Sequence, residues 1–203
     1  MNILEGIKIK GEGVRIPNSN RRDLPRFFKD KGYKVGVEIG VQRASFLCRF
    51  CRTGLKMFGI DPWLGYDEYK RGQEKQDRIY TDAQKNTKMF DDCTLIRKKS
   101  MDAVVDFEDE SIDFVYIDGH HGFKFVTEDI YEWSKKVKKG GVISGHDYSY
   151  TKERKNNFDF HAKYVVDAYT KAFNIKDWWV LGNDEKEFEG EKRDRCRSWF
   201  WFK

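Results

Sequence analysis

The chain of 203 residues has the size of one domain with at most a small appendage. Hydrophobic residues make up only 39% of it, but sixteen Phe, ten Tyr and six Trp supply the area for a sizeable core and exclude general disorder. The formal net charge of +5 is too small to establish nucleic-acid binding: Lys and Arg outnumber Asp and Glu 22 to 13 in residues 1–100 and are outnumbered 21 to 17 afterwards, a distribution read as a solvated surface.

No uncharged apolar run approaches the length of a membrane span, and the opening MNILEGIKIKGEG lacks the layout of a signal peptide, so a cytoplasmic protein with no membrane partner is expected. Cys48, Cys51, Cys93 and Cys196 then read as free thiols. Three prolines and no Gly/Ser-rich linker leave no internal boundary; residues 1–33 are expected to be an N-terminal extension carrying one short helix, and residues 34–203 a single domain.

Asp23-Leu24-Pro25 reads as a helix cap followed by a first-turn proline, which predicts a helix over 24–31. Val35–Ile39 is the first buried strand, residues 43–53 have helical spacing, and Lys56–Asp61 is the second strand. A polar stretch over 66–90 suggests a helix of uncertain ends. Strand three is Cys93–Ile96, a short helix follows over 101–107, and Ile112–Asp118 is the clearest strand of all. A helix over 123–137, a stop at Lys138–Gly141, a fifth strand at 142–145 and a helix over 159–173 come next. Residues 177–181 and 198–202 suit an antiparallel pair. Strands alternating with helices imply a mainly parallel sheet covered on both faces.

In such a sheet, ligands sit beyond the carboxyl ends of the strands near the point where strand order reverses. Those ends read Glu38-Ile39-Gly40-Val41-Gln42, Asp61-Pro62-Trp63, Asp118-Gly119-His120-His121 and His146-Asp147-Tyr148. Gly40 lets backbone approach a ligand, and Asp61, 21 residues on, has the spacing of a carboxylate that accepts hydrogen bonds from ribose. The loop Gly40-Val41-Gln42-Arg43-Ala44-Ser45 lacks the glycines that admit a pyrophosphate, and Glu38 would repel phosphates. These residues favour S-adenosylmethionine over NAD or ATP.

With its V-E-I-G, G-I-D-P-W, F-V-Y-I-D-G-H-H and G-G-V-I-S-G-H-D-Y segments, the chain resembles the class I S-adenosylmethionine-dependent methyltransferases, in particular the small O-methyltransferase branch of sugar and catechol type. The resemblance implies an α/β, Rossmann-like, doubly wound sheet of seven strands, mostly parallel with an antiparallel C-terminal edge. It places Glu38 and Gly40 at the methionine portion, Asp61 at the ribose and Ser100 at the adenine. Gln42, Ser45, Pro62, Trp63 and Asp118 complete the expected cofactor contacts. It also implies a divalent cation, Mg²⁺ or Mn²⁺, on Asp118 and Asp147. His146 departs from the family pattern, because an acidic residue often stands before the second metal aspartate; as a softer ligand it shifts the choice toward Mn²⁺, Fe²⁺ or Zn²⁺.

Asp118 and His121 are the catalytic candidates, with His121 taking the acceptor's proton. Of the adjacent His120 and His121, one is expected to be structural. His161 and the Cys48/Cys51 pair read as packing, and the tail tryptophans as cover for the sheet edge. The expected function is O-methylation of a small hydroxylated acceptor, a sugar, glycan or phenol, lined by residues 64–92 and 148–158, with a homo-oligomer compatible with this reading. Two rivals stay open: an NAD or nucleotide-sugar enzyme on the same fold, and a module that binds the cofactor without chemistry.

Overall fold

Alternate residues of each apolar run face opposite sides of one sheet in the computed structural model, which describes residues 1–65, 72–149, 160–184 and 189–203. The strands are β1 (Val14–Ile16), β2 (Val35–Ile39), β3 (Lys56–Ile60), β4 (Cys93–Ile96), β5 (Ile112–Ile117), β6 (Val137–Gly145), β7 (Trp178–Leu181) and β8 (Trp199–Phe202). They run in the order β1-β7-β8-β6-β5-β2-β3-β4. All neighbours are parallel except β8, which is antiparallel to both β6 and β7. The sheet thus has eight strands rather than seven. The additional one is β1, three residues of the N-terminal extension too short to leave a period in the sequence, and it forms the outer edge beyond the C-terminal hairpin.

Helices α1 (Ile3–Gly6), α2 (Leu24–Asp30), α3 (Leu47–Cys51), α4 (Gln73–Thr87), α5 (Ser100–Ala103), α6 (Phe123–Lys136) and α7 (Ala162–Ala172) cover the two faces. On one face Phe114, Tyr116 and Phe200 meet Phe28 and Phe50 of α2 and α3; on the other Val115, Ile117, Trp199 and Trp201 meet Trp133 of α6 and Val166 of α7. The period-2 split of β5 between two cores is what a doubly covered sheet requires. Among the described residues no helix is long and apolar enough to cross a membrane.

Three local expectations are corrected. Asp23 stands at the N-cap of α2 with Pro25 in the first turn, as expected, but makes no side-chain cap bond there; the capping contacts lie one turn earlier, where the Asn20 side chain accepts from Arg22 N and Asp23 returns its carboxylate to Asn20 N across a 3₁₀ turn over Arg21–Asp23. The helix expected over 43–53 is only Leu47–Cys51, because Gln42 (φ +49°) and Ala44 (φ +61°) adopt left-handed backbone that turns the loop back toward β3. Lys138–Gly141 is not a loop: β6 begins at Val137, opposite Ile112, with a register shift before Phe114 pairs with Val142. The helix expected over 159–173 is observed as Ala162–Ala172, and residue 159 lies outside the described residues.

At the amino end of β5, Asp113 ties three strands together. Its Oδ2 accepts from Lys34 N (2.7 Å) and Val35 N (2.9 Å), and its Oδ1 from Lys138 Nζ (2.8 Å). Burial opposes its ionisation, but Lys138 and the two amides outweigh burial and hold the carboxyl below its ordinary range. A depressed folded pKa gives stability that is present above the unfolded pKa and lost as pH falls through the folded one. Asp113→Ala is therefore expected to cost about 1–3 kcal/mol at neutral pH, and the deficit should shrink in urea unfolding repeated at about pH 3.

Candidate functional site

The chain runs outward from β2 through β3 to β4 and then crosses back to β5 on the other side of β2, so strand order reverses between β2 and β5. A crevice opens there beyond the carboxyl ends. Two loops meet in it because Gly40 (φ +88°) lacks a side chain: a Cβ at Gly40 would stand 2.0 Å from the carbonyl oxygen of Asp118. Asp61 organises the loop after β2, accepting from Gln42 N (2.9 Å) through Oδ2 and from Trp63 N (2.8 Å) through Oδ1. Trp63 is fully buried against Tyr80, and its Nε1 donates to Gln42 O (2.9 Å). Its ring braces the loop from beneath. Gln42 and Ser45 lie exposed on that loop, and Pro62 is half-buried.

Glu38 points from β2 into the same region and is 2% exposed, with Oε2 buried and lacking a hydrogen-bond partner among the described residues. Burial, then repulsion from Asp118, pushes its carboxyl well above the ordinary range, against the pull of Arg21. Ser100, at the start of α5, hydrogen-bonds the Asp129 carboxylate and accepts from Trp133 Nε1 (2.8 Å). Burial pushes Asp129 up to about 7, with the Ser100 hydroxyl opposing and Glu128 adding to it.

At the ends of β5 and β6, Asp118, His146 and Asp147 converge, with one donor atom from each lying within 4.8 Å of the others. His146 Nδ1 is 3.5 Å from Asp147 Oδ1 and 3.8 Å from Asp118 Oδ1. Asp147 reaches inward because its backbone is left-handed (φ +61°), and its Oδ2 is 3.0 Å from His121 Nδ1. His121 stacks on Phe160 at 4.8 Å. Burial pushes Asp118 up to about 7, with His146 drawing it down and Asp147 forcing it up. The neighbouring Asp147 moves the other way: burial would raise it, but His146 and His121 prevail and hold it low. His146 is raised despite burial by Asp118 and Asp147.

The expected tandem-histidine split is observed. His121 faces Asp147, while His120 Nδ1 accepts from Gly122 N (3.0 Å) and its ring lies 4.2 Å from Phe125. His161 Nδ1 accepts from Phe123 N (3.0 Å) and so closes the start of α6. Cys48 and Cys51 are buried, and all four cysteines are free. Of the segments expected to line an acceptor pocket, residues 66–71 and 150–158 lie outside the described residues.

Three charged groups were missed by sequence reasoning. Arg21, from the 3₁₀ turn before α2, places Nη1 3.3 Å from Asp118 Oδ2 and its guanidinium 5.3 Å from the Phe46 ring. Nothing in its sequence neighbourhood signals this. Asp194 is 4% exposed yet sits in the charged run Lys192–Arg197, which hides it. Asp129 could have been found, since it falls on the apolar face of α6 with Val126, Ile130 and Trp133.

A sheet of this order with one antiparallel strand, carrying an acidic residue, a glycine and a second acidic residue at its first two strand ends, has the Rossmann-like form of the class I methyltransferases. A protein-family model described as a methyltransferase domain matches residues 34–148, and the chain belongs to that family. A protein of Sinorhizobium fredii named uncharacterized protein y4gI is 30% identical over 131 residues, 60% of this chain but only 14% of its own length, so the chain spans about a seventh of that curated relative. Among solved structures, an O-methyltransferase from Bacillus cereus in complex with SAH is similar with a TM-score of 0.61 at 14% identity, over 90% of this chain and 80% of that one. A candidate caffeoyl-CoA O-methyltransferase from Staphylococcus aureus gives a TM-score of 0.62 at 14% identity, over 88% and 80%. At such identities the likeness is one of fold.

Two glycines with similar backbone separate strain from crowding. Gly40→Ala combines a left-handed conformation with a clash against backbone and is expected to cost more than about 2 kcal/mol. Gly32→Ala (φ +84°), with nothing within 4 Å of its added Cβ, is expected to cost about 1 kcal/mol. Thermal unfolding of the two variants checks the difference.

Proposed function

We propose that the chain is an S-adenosylmethionine-dependent O-methyltransferase acting on a small hydroxylated acceptor such as a sugar, glycan or phenol. The observation that carries this reading is the Oε2 of Glu38, buried beside Gly40 and Asp61 and without a hydrogen-bond partner among the described residues. A buried carboxyl without a donor is costly unless a ligand supplies one, and the ammonium of a methionine moiety is a donor that also restores charge balance. Asp61, already tied to two amides, keeps lone pairs for ribose hydroxyls. Gln42, Ser45 and Pro62 border the nucleoside, and Trp63 acts from below by fixing the loop. Ser100 and Asp129 form one hydrogen-bonded unit at the end of β4, where an adenine would lie.

The donor set Asp118, His146 and Asp147 fits a divalent cation: two carboxylates and an imidazole nitrogen converge, and excess acidic charge surrounds them. Such an ion, when bound, supplies Lewis-acid polarisation of the acceptor hydroxyl. The chain's own part is positioning and proton transfer. His121, held by Asp147, takes the acceptor's proton at the imidazole while the new oxygen–carbon bond forms and the sulfur–carbon bond breaks in line, with the sulfur keeping the electron pair. Asp118, Phe160 and His121 border the space the acceptor would occupy. Residues 34–203 would carry cofactor and acceptor, with residues 1–33 contributing Arg21.

Isothermal titration with S-adenosylhomocysteine is expected to give binding far tighter than NAD; tighter NAD binding would overturn the reading. Because Glu38 starts with a raised pKa and must ionise to meet the ammonium, affinity should weaken as pH falls. Glu38→Gln is expected to lose about tenfold or more, a cost of roughly 1.4 kcal/mol. Transfer of labelled methyl to glycans and phenols should fall sharply in Asp118→Asn. Cofactor binding with no transfer to any acceptor would make the chain a binding module instead.

A further inference from the structure

His146 is gripped from two sides. Its Nδ1 faces Asp118 and Asp147, and its Nε2 lies 4.0 Å from Asp194 Oδ1, buried and without a hydrogen-bond partner among the described residues. Asp194 comes from the turn before β8, where its Oδ2 accepts from Ser198 N (2.9 Å) and its carboxylate also meets the Ser198 hydroxyl, with Oδ1 as the oxygen facing the imidazole. The same turn is anchored on both flanks: Ser198 Oγ lies 3.1 Å from Tyr116 Oη, and Trp199 Nε1 donates to His146 O (3.0 Å). The gap from Nε2 to Oδ1 is about 1 Å longer than an ordinary N–H···O contact, and among the described residues no other group satisfies the ring nitrogen.

We infer that Asp194 is a positioning residue for His146: it accepts the Nε2 proton, fixes the tautomer that leaves the Nδ1 lone pair facing Asp118 and Asp147, and so selects a borderline transition cation, Mn²⁺, Fe²⁺ or Zn²⁺, over Mg²⁺. This rests on the cation reading of Asp118, His146 and Asp147. Ligating histidines commonly donate their second ring N–H to a carboxylate, which sets ring orientation and raises ligand basicity, and removal of such a partner typically costs 10–100-fold in metal affinity. A carboxylate can only accept. An amide whose oxygen stays on Ser198 N would instead present its NH₂ to Nε2 and favour the opposite tautomer, so Asp194→Asn keeps the turn while reversing the polarity of the contact.

The test is titration of the purified full chain with Mn²⁺, Zn²⁺ and Mg²⁺ alone, without methyl donor or acceptor. Asp194→Asn is expected to weaken Mn²⁺ and Zn²⁺ about 10–100-fold while leaving Mg²⁺ nearly unchanged. In a His146→Asp background, where no imidazole needs orienting, Asp194→Asn should leave Mn²⁺ affinity unchanged. Nitrogen-15 NMR of the Zn²⁺-loaded wild type should show His146 protonated at Nε2 and ligated at Nδ1. Equal losses in both backgrounds, or zinc on Nε2, would reduce Asp194 to a structural role and overturn the inference. Wild-type binding of Mn²⁺ and Zn²⁺ that Asp194→Asn does not alter would also overturn it, with the cation reading intact. Failure of the wild type to bind any of the three cations would remove both, without touching the S-adenosylhomocysteine titration. Unfolding of each variant, followed by circular dichroism, confirms that the turn survives.

Discussion

Four carboxylates, Glu38, Asp118, Asp147 and Asp194, are drawn together at the carboxyl ends of β2, β5 and β6 and beside β8, with one guanidinium and two imidazoles among them. Like charges at this range repel strongly in a partly desolvated site, so each must be neutralised, protonated or met by a cation. The structure divides these solutions. Asp147 keeps its charge against His121 and His146, Arg21 reaches in to Asp118, and Glu38 and Asp118 are driven toward the protonated form. The remaining imbalance favours positively charged ligands in the crevice, which suits a sulfonium nucleoside and agrees with the cation proposed above.

β5 shows how strictly surroundings decide what a carboxylate does. Asp113 and Asp118 stand at opposite ends of one strand, each largely enclosed. Three donors are aimed at Asp113, and its pKa falls. At Asp118 burial and the neighbouring Asp147 outweigh His146 and the Arg21 guanidinium at 3.3 Å, and its pKa rises. The first joins strands; the second is held in a destabilised state that a ligand can relieve. The polarity of the sheet produces this difference, because loops at the carboxyl ends open at the switch point while the amino ends are closed by their own backbone.

What was legible in the sequence follows the range of the interaction that fixes it. Strands β2 to β6 announce themselves by apolar runs, and the polar residues at their ends mark the crevice, so the place of Glu38, Gly40, Asp61, Asp118, His146 and Asp147 around it was legible locally. The split between His120 and His121 also follows from adjacent residues pointing apart. The capped 3₁₀ turn that begins at Asn20 was missed because Asp23 precedes a proline so suggestively, and the shortened α3 because Gln42 and Ala44 adopt left-handed backbone that their residue types do not demand. The Ser100 hydroxyl is joined to Asp129 and Trp133, contacts 29 and 33 residues away in the chain that local reading does not reveal. Arg21 and Asp194 become visible only once β1, β7 and β8 are assembled.

Those two residues share a further property: both lie outside residues 34–148, the span that carries the family match. The matched span supplies the crevice and its carboxylates, while the flanking segments supply the charged groups Arg21 and Asp194 that face them. Arg21 arrives because α1 and β1 dock the N-terminal segment on the sheet, through Trp179 Nε1 bonded to Gly6 O and Ile9 O (both 3.0 Å) and through β1 pairing with β7. Asp194 arrives because β8 inserts antiparallel between β6 and β7 and brings the preceding turn over His146. β7 thus serves both flanks at once. It pairs with β1 of the N-terminal segment on one side and with β8, which carries the Asp194 turn, on the other, so one edge strand holds both flanks on the sheet.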